Sequence, residues 1–307
     1  MPENKKQKTL IVVSGPTASG KTQVAIRLAQ HFETSIISAD SRQFYQRLKI
    51  GTAAPRPDEL AAATHYLVGN LSIEDYYNAS HFERDALQIL DKIFIKNETA
   101  ILAGGSGMYI DAVCKGIDDM PDADMELRES IHSQFQEKGI EFLQEQVKTL
   151  DPEYYEMVDK ANPNRLKRAI EVCRQTGRTF TSFRQGRKVE RNFAIVKIGL
   201  NMPRPELFER IAQRTDAMIV QGLVEEVKSL QGFRHLNAMN TVGYKEIFEY
   251  LDGNITLDRA IENIKTNTRR YAKRQLTWLK RDEEIKWFLP SQIEEIIRYI
   301  ESKKIIQ

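Results

Sequence analysis

Gly15-Pro16-Thr17-Ala18-Ser19-Gly20-Lys21-Thr22 is the stretch on which the reading of this chain turns. It fits G-x-x-x-x-G-K-[ST], and it stands directly between a predicted strand, Thr9-Leu10-Ile11-Val12-Val13, and a predicted helix beginning near Lys21. In that context the glycines let the backbone curl around an anion. Its N–H groups then converge on phosphate oxygens, helped by the positive end of the helix. Lys21 adds a point charge, and Thr22 offers a hydroxyl suited to ligating magnesium that also touches the phosphates.

Working outward, the first strand is continuously apolar and rich in β-branched residues, as a strand buried on both faces of a parallel sheet requires. Val24, Ala25, Leu28 and Ala29 recur at helical spacing after it, and strand-like runs follow at Ser35 to Ser38, Thr99 to Ala103 and Phe193 to Leu200. The first three runs alternate with helical patterns, which predicts a doubly wound α/β core. Between Asp118 and Asn192 strand signals vanish and helical patterning takes over, as at Leu127, Ile131, Phe135 and at Leu166, Ile170, Cys173. Long helical segments begin again where Pro203 and Pro205 suit a helix amino terminus. The fold expected is therefore α/β, a P-loop NTPase-like parallel sheet with an inserted all-helical domain and C-terminal helices. Its parts are a first core segment over 1–117, the insertion over 118–192, and a second core segment with basic helices over 193–307.

With 307 residues, 41% hydrophobic and 29% charged, the chain has the make-up of a soluble globular protein with a sizeable core. Met1-Pro2-Glu3-Asn4-Lys5-Lys6 leads straight into the first strand without a long apolar stretch, so a cytoplasmic protein with no membrane partner is expected. Cys114 and Cys173 are too few for a disulfide framework and read as buried small residues. The five histidines are scattered, without the spacing of a metal motif. A net charge of +2 conceals an uneven distribution. Asn164 to Arg191 holds nine basic residues (Arg165, Lys167, Arg168, Arg174, Arg178, Arg184, Arg187, Lys188, Arg191) against Glu171 and Glu190, and Lys265 to Arg281 holds seven with no acid.

A phosphate cradle does not say what is done with the phosphate. The third strand-like run ends in Gly104-Gly105-Ser106-Gly107 with no acid, so the best-placed carboxylate is Asp40, following Ile36-Ile37-Ser38-Ala39. In open α/β sheets ligands bind beyond the carboxyl ends of the strands, which faces Asp40 toward the cradle. Position alone does not separate a catalytic base from a helix cap or turn residue here. A kinase of a nucleoside or other small metabolite would use the same cradle, and would use Asp40 to activate a hydroxyl. An RNA-binding protein whose loop senses nucleotide is the reading from another class.

The string Ser38-Ala39-Asp40-Ser41-Arg42-Gln43-Phe44-Tyr45, then Ile50-Gly51-Thr52-Ala53-Ala54-Pro55, closely resembles the tRNA dimethylallyltransferases, also called tRNA isopentenyltransferases. Gly104-Gly105-Ser106-Gly107-Met108-Tyr109, Asn164 to Ala169, Thr241 to Glu246 and Lys273 to Leu279 look like later blocks of that family in the same order. The resemblance spans nearly the whole chain. One departure is visible: Ala54 stands where the family commonly has Lys.

The resemblance implies transfer of a dimethylallyl group from dimethylallyl diphosphate to the N6 amine of the adenosine 3′-adjacent to a tRNA anticodon, with Mg2+ as cofactor and the chain acting as a monomer. It implies Asp40 as base, and Lys21, Thr22 and Arg214 as groups serving the departing diphosphate bound on Gly15, Pro16, Thr17, Ala18, Ser19, Gly20, Lys21 and Thr22. For Arg214 helical spacing does not choose, because Glu206, Arg210 and Arg214 recur every four residues and would also form an exposed charge ladder. The tRNA contacts implied are Asp40, Ser41, Arg42 and Gln43 with Ser106 near the displaced base, and Arg128 with Asn164, Arg165, Leu166, Lys167 and Arg168 on the insertion.

The run Lys265 to Arg281 also has a geometric reading. At about 100° per residue Arg269, Arg270, Lys273, Arg274, Lys280 and Arg281 share one side of a helix, and Ala272, Leu276 and Leu279 the other. Such a helix is commonly just solvated. Missing acids, Tyr271 and Trp278 for stacking, and the second basic block favour RNA, with Lys273, Arg274 and Lys280 as contacts. Phe82, Tyr76 and Tyr77 read as core in preference to a prenyl pocket.

Overall fold

The computed structural model describes residues 7–186 and 189–306; residues 1–6, Arg187, Lys188 and Gln307 lie outside it. The chain divides into two compact units, Met1–Cys114 with Glu190–Gln307, and Lys115–Val189. Among the described residues no helix is long and apolar enough to cross a membrane.

The first unit is built on a six-stranded sheet, all parallel, in the order β3-β2-β4-β1-β5-β6. The strands are β1 Thr9–Ser14, β2 Ile36–Ala39, β3 His65–Tyr66, β4 Thr99–Gly104, β5 Ala194–Leu200 and β6 Lys286–Phe288. The four strands read from sequence are the long ones. β3 and β6, two and three residues long, are too short to carry a hydrophobic pattern.

Alternate residues of β1 feed opposite faces of the sheet, as pleating demands. Leu10 and Val12 pack with Phe82, Ala86 and Leu90 of the helix Ala79–Lys96. Ile11 and Val13 pack with Leu28 of the helix Lys21–His31 and with Ile296 and Ile300 of the helix Ile293–Ile306. Burial on both faces explains why the strand has no polar alternation. Pairing places Ser14 beside Gly104 and Ala39 beside Gly104, so Gly15, Asp40 and Gly105 leave the sheet from one edge, side by side. That register fixes the site.

A further cluster joins the C-terminal helices through Leu223, Tyr244, Ile247 and Ile264. Here Glu226 accepts the backbone N–H groups of Lys49, Ile50 and Gly51 at 2.8 to 3.1 Å and the Tyr244 hydroxyl at 2.6 Å. A Cβ on Gly51 would meet the Tyr244 ring at 2.5 Å, so Tyr244 and Glu226 together lock the loop that follows Asp40.

The second unit, which the sequence bounded at 118–192, contains helices and no strand among its described residues. Its core holds Ile131, Leu143, Val147, Tyr154, Leu166, Ile170 and Phe180, from helices that include Met125–Leu150 and Pro163–Thr176. Glu171 is buried there, bridged bidentately by Arg128 at 2.8 and 2.9 Å and reached by Arg168 at 3.3 Å. Arg168 also donates to the Pro121 carbonyl at 2.6 Å, fastening the segment that leads into the helices. Removing one partner of a buried pair strands the other charge. Because the side chains of Arg128 and Arg168 keep 35% and 26% of their exposure, Glu171→Ala is expected to destabilise this unit by about 3 kcal/mol, the low end for such pairs. Urea unfolding followed by a probe in the insertion checks this, and a change below about 0.5 kcal/mol, the scatter of ordinary surface substitutions, would show the network to be dispensable.

Candidate active site

The cradle has the local geometry its sequence requires. Gly20 caps the helix Lys21–His31 in the left-handed region, with φ 88°, and Ala18 shares that region at φ 65°. Gly15 passes so close to β5 that a Cβ would lie 2.6 Å from the Leu200 carbonyl oxygen. The Ser19 hydroxyl is buried under the loop and has no hydrogen-bond partner among the described residues. A buried, unpaired hydroxyl costs about 1–3 kcal/mol, and such costs gather where a loop is shaped for a ligand.

Cations converge on this loop. The Lys21 amine donates to the Pro16 carbonyl at 2.7 Å. Burial lowers it from its ordinary 10.5 to about 8, with the Asp40 carboxylate raising it and Arg214 lowering it. On the helix Arg204–Val220, the Arg214 guanidinium donates to the Thr17 hydroxyl and feels the charge of Asp40. Burial lowers its pKa as well, opposed by Asp40 and aided by Arg210. No charge ladder with Glu206 forms among the described residues. Arg210 is exposed, yet its guanidinium comes within 3.7 Å of where a Gly20 Cβ would sit, so both arginines border the cradle. Three cations against one carboxylate make a site short of negative charge.

Asp40 serves two readings at once. One oxygen accepts the Arg42 N–H at 3.1 Å in a turn, and the Asp40 carbonyl accepts the Gln43 N–H at 3.2 Å. Its charge is nonetheless felt at Lys21 and at Arg214, whose pKa values it raises. Ser106 lies alongside: its hydroxyl accepts the Ser41 N–H at 3.1 Å and donates to the Ser41 hydroxyl at 3.3 Å. Gln43 is committed to structure, bonded to Ser38 and to the Thr52 and Ala53 carbonyls at 3.0 to 3.2 Å. Arg42 reaches the Asn237 carbonyl at 3.2 Å, beside an open cavity of about 390 Å³ that Asn237, Arg234, His235 and Lys245 help to line.

The helix Leu257–Leu279 closes the other side, with Ala272 and Leu279 buried and Arg270, Lys273, Arg274, Lys280 and Arg281 exposed. None of those five exposed residues forms an ion pair among the described residues. Lys265, the first residue of the acid-free run, is neutralised from outside it by Asp216 at 2.9 Å and Glu262 at 3.2 Å. Both aromatic residues also carry structural duties. Trp278 donates to Asp111 at 2.8 Å and lies against Gly107, where a Cβ would fall 2.2 Å from its ring. Burial of Tyr271, with the nearby Asp40 charge, pushes its phenol up to about 12.

On the insertion, Asn164 and Arg165 are exposed. Lys167 stands over the Phe135 ring at 5.4 Å, its pKa lowered by burial. Leu166 is corrected: it is 0% exposed in the core of its unit, because the helix needs that face for packing, so its side chain offers nothing to RNA. Phe82 is buried against Phe44, and Tyr77 donates to Asp85 at 2.9 Å, as packing residues do. Tyr76, read as core, is exposed instead.

The model of the IPP transferase family matches residues 43–282. The chain belongs to the IPP transferase family. It is 53% identical over 292 residues to tRNA dimethylallyltransferase 1 of Bacteroides thetaiotaomicron, covering 95% of both chains. It is 50% identical over 295 residues to the tRNA dimethylallyltransferase of Christiangramia forsetii, covering 96% of this chain and 98% of that one. Among solved structures it is similar to the tRNA isopentenylpyrophosphate transferase of Bacillus halodurans, with 32% identity, 97% of each chain covered and a TM-score of 0.71. As an IPP transferase this chain carries a P-loop NTPase-like core. The match to the family's model begins at Gln43, downstream of the cradle, while the likeness to the Bacteroides relative extends over 95% of the chain. Two site residues of this family member were not legible in sequence: Arg210, hidden by the ladder spacing, and Gln275, a polar residue on the apolar side of its helix. A buried glutamine on an amphipathic helix is the one signal that marks the second.

Proposed function

We propose that this chain transfers the dimethylallyl group of dimethylallyl diphosphate to the N6 amine of the adenosine on the 3′ side of a tRNA anticodon. The observation that carries the proposal is the alignment of β1, β2 and β4, which brings a cradle ringed by Lys21, Arg210 and Arg214 beside a single carboxylate, Asp40. Anionic leaving group and proton acceptor are thus adjacent. The kinase reading lacks support from the relatives, whose names are those of tRNA-modifying transferases.

The adenine amine is a poor nucleophile because its lone pair is delocalised into the ring. As the N6–carbon bond forms and the carbon–oxygen bond breaks, the electron pair leaves with diphosphate and the amine's proton passes to Asp40. Cradle N–H groups, Lys21 and Arg214 meet the charge that grows on diphosphate. A magnesium ion would be held by the Thr22 hydroxyl, which is partly exposed and has no protein partner among the described residues. No cluster of three His, Cys, Asp or Glu suited to a metal occurs among those residues, which fits a cation completed by diphosphate and water oxygens. Bound there, magnesium would neutralise part of the leaving group's charge.

The acceptor must leave its stack, at a cost of a few kcal/mol. Phosphate contacts from Arg270, Lys273, Arg274 and Lys280, and on the insertion from Arg165 and Lys167, would offset it, with Asn164 adding a polar contact; Arg42 and Ser41 flank the base. Arg128 and Arg168 shape the insertion first and reach RNA only with the exposed part of each guanidinium. The reaction belongs in the cytoplasm with its tRNA, one chain per turnover.

Incubation with magnesium, dimethylallyl diphosphate and unmodified tRNA is expected to yield prenylated adenosine in the digested RNA by mass spectrometry. ATP consumption with a small nucleoside, and no such product, would hand the site to the kinase reading. Binding also has a pH signature. Lys21 loses its charge in the free protein as pH rises through about 8, so affinity for dimethylallyl diphosphate without RNA should be full below that value and fall about fivefold from pH 8 to 9. A Lys21→Arg variant, which stays charged, should lose this fall, and calorimetry showing parallel curves for both would contradict the assignment.

A further inference from the structure

Gln275 faces inward from the basic helix Leu257–Leu279 and is 7% exposed. Its Oε1 accepts the Thr17 N–H at 2.8 Å, and its Nε2 donates to the Gly105 carbonyl at 2.9 Å. The partners fix the amide's orientation, since one can only donate and the other only accept. Gly105 makes room for it: a Cβ there would lie 2.2 Å from Nε2. Thr17 is part of the diphosphate cradle and is held a second time, at its hydroxyl, by Arg214. Gly105 precedes Ser106, whose hydroxyl is bonded to Ser41 next to Asp40. One side chain therefore ties the donor half of the site to the acceptor half.

We infer that Gln275 is a positioning residue that sets the spacing between the bound diphosphate donor and the acceptor amine at Asp40. This rests on the transfer function proposed above. Both ends of the Gln275 amide are engaged by protein groups. It acts through Thr17 and Gly105, and a primary amide of this length is the group that satisfies both at once. A carboxylate in its place would set an oxygen against the Gly105 carbonyl, and a thioether would fill the volume and make neither bond. Because the reaction joins atoms held by separate loops, a shift of about 1 Å between the loops is enough to slow it about 100-fold while each loop still binds its own ligand.

The test compares the parent protein with Gln275→Met and Gln275→Glu. It measures single-turnover prenylation at saturating substrates, the Kd for inorganic diphosphate, the Kd for an unmodified anticodon stem-loop RNA, and Tm. Both variants are expected to lose about 100-fold in the single-turnover rate, with both Kd values within about threefold of the parent and Tm little changed. Rates within about threefold of the parent in both variants would overturn the proposal. So would a loss of rate matched by parallel losses of affinity and Tm, the mark of a merely structural residue. If the parent makes no prenylated adenosine, the functional reading fails and this one with it. If the parent is active and the variants equal it, this proposal alone fails.

Discussion

Asp40→Asn is expected to lower kcat for prenylation by about 10³-fold while leaving donor binding intact. The substitution keeps the shape of the turn, because the Asn side-chain oxygen still accepts the Arg42 N–H that Asp40 now accepts at 3.1 Å. What it removes is the proton acceptor and one negative charge. That charge opposes an incoming diphosphate, so its loss does not weaken anion binding. It also supports the charge on Lys21, a task the bound diphosphate takes over. Binding and chemistry should therefore separate: the Kd for dimethylallyl diphosphate stays within about threefold of the parent while the rate collapses. A kcat within about tenfold of the parent would remove Asp40 from the role of base, and equal losses in Kd and kcat would reassign it to the architecture of the turn.

Arg214→Ala is expected to cost about 10²- to 10³-fold in kcat, the range seen when one donor to a developing anion is removed. The site argues that this arginine serves a ligand and not the fold. It is half-buried near Lys21 and Arg210, with Asp40 as its nearby acid, and both partial burial and Arg210 work against its charge. In the protein without substrate, removing it relieves that repulsion, so Tm should hold or rise. The gain in Tm on adding diphosphate should shrink, since ligand stabilisation follows affinity. Arg210→Ala, at an exposed position screened by water, should cost about tenfold or less. An Arg210 effect as large as that of Arg214, or an Arg214 variant that melts lower without ligand and binds diphosphate normally, would reverse the assignment.

Much of this site was legible because its chemistry is local. The cradle is contiguous in sequence, and its conformation follows from glycines placed between a buried strand and a helix. Asp40 was legible from the rule that ligands gather beyond the carboxyl ends of parallel strands. β3 and β6 were not, since two or three residues carry no period. The insertion was recognisable from loss of strand patterning, but the role of Glu171 was not, because an acid in a strongly basic run looks like a surface residue until Arg128 arrives from another helix.

The sequence by itself determined the parallel α/β core, the phosphate cradle, the carboxylate at the end of β2 and the basic face of the helix Leu257–Leu279. Each of these is written in neighbouring residues, in a continuous apolar run or in a period of 3.6. Tertiary structure alone decided that Arg214 reaches Thr17, that Tyr271 lies near Asp40 while Trp278 is seated on Gly107, that Leu166 is core, and that Gln275 joins Thr17 to Gly105 across 258 and 170 residues of chain. The physical reason is the same in every case. Helical periodicity says which side chains share a face, and only the packing of that face against other elements says what they touch.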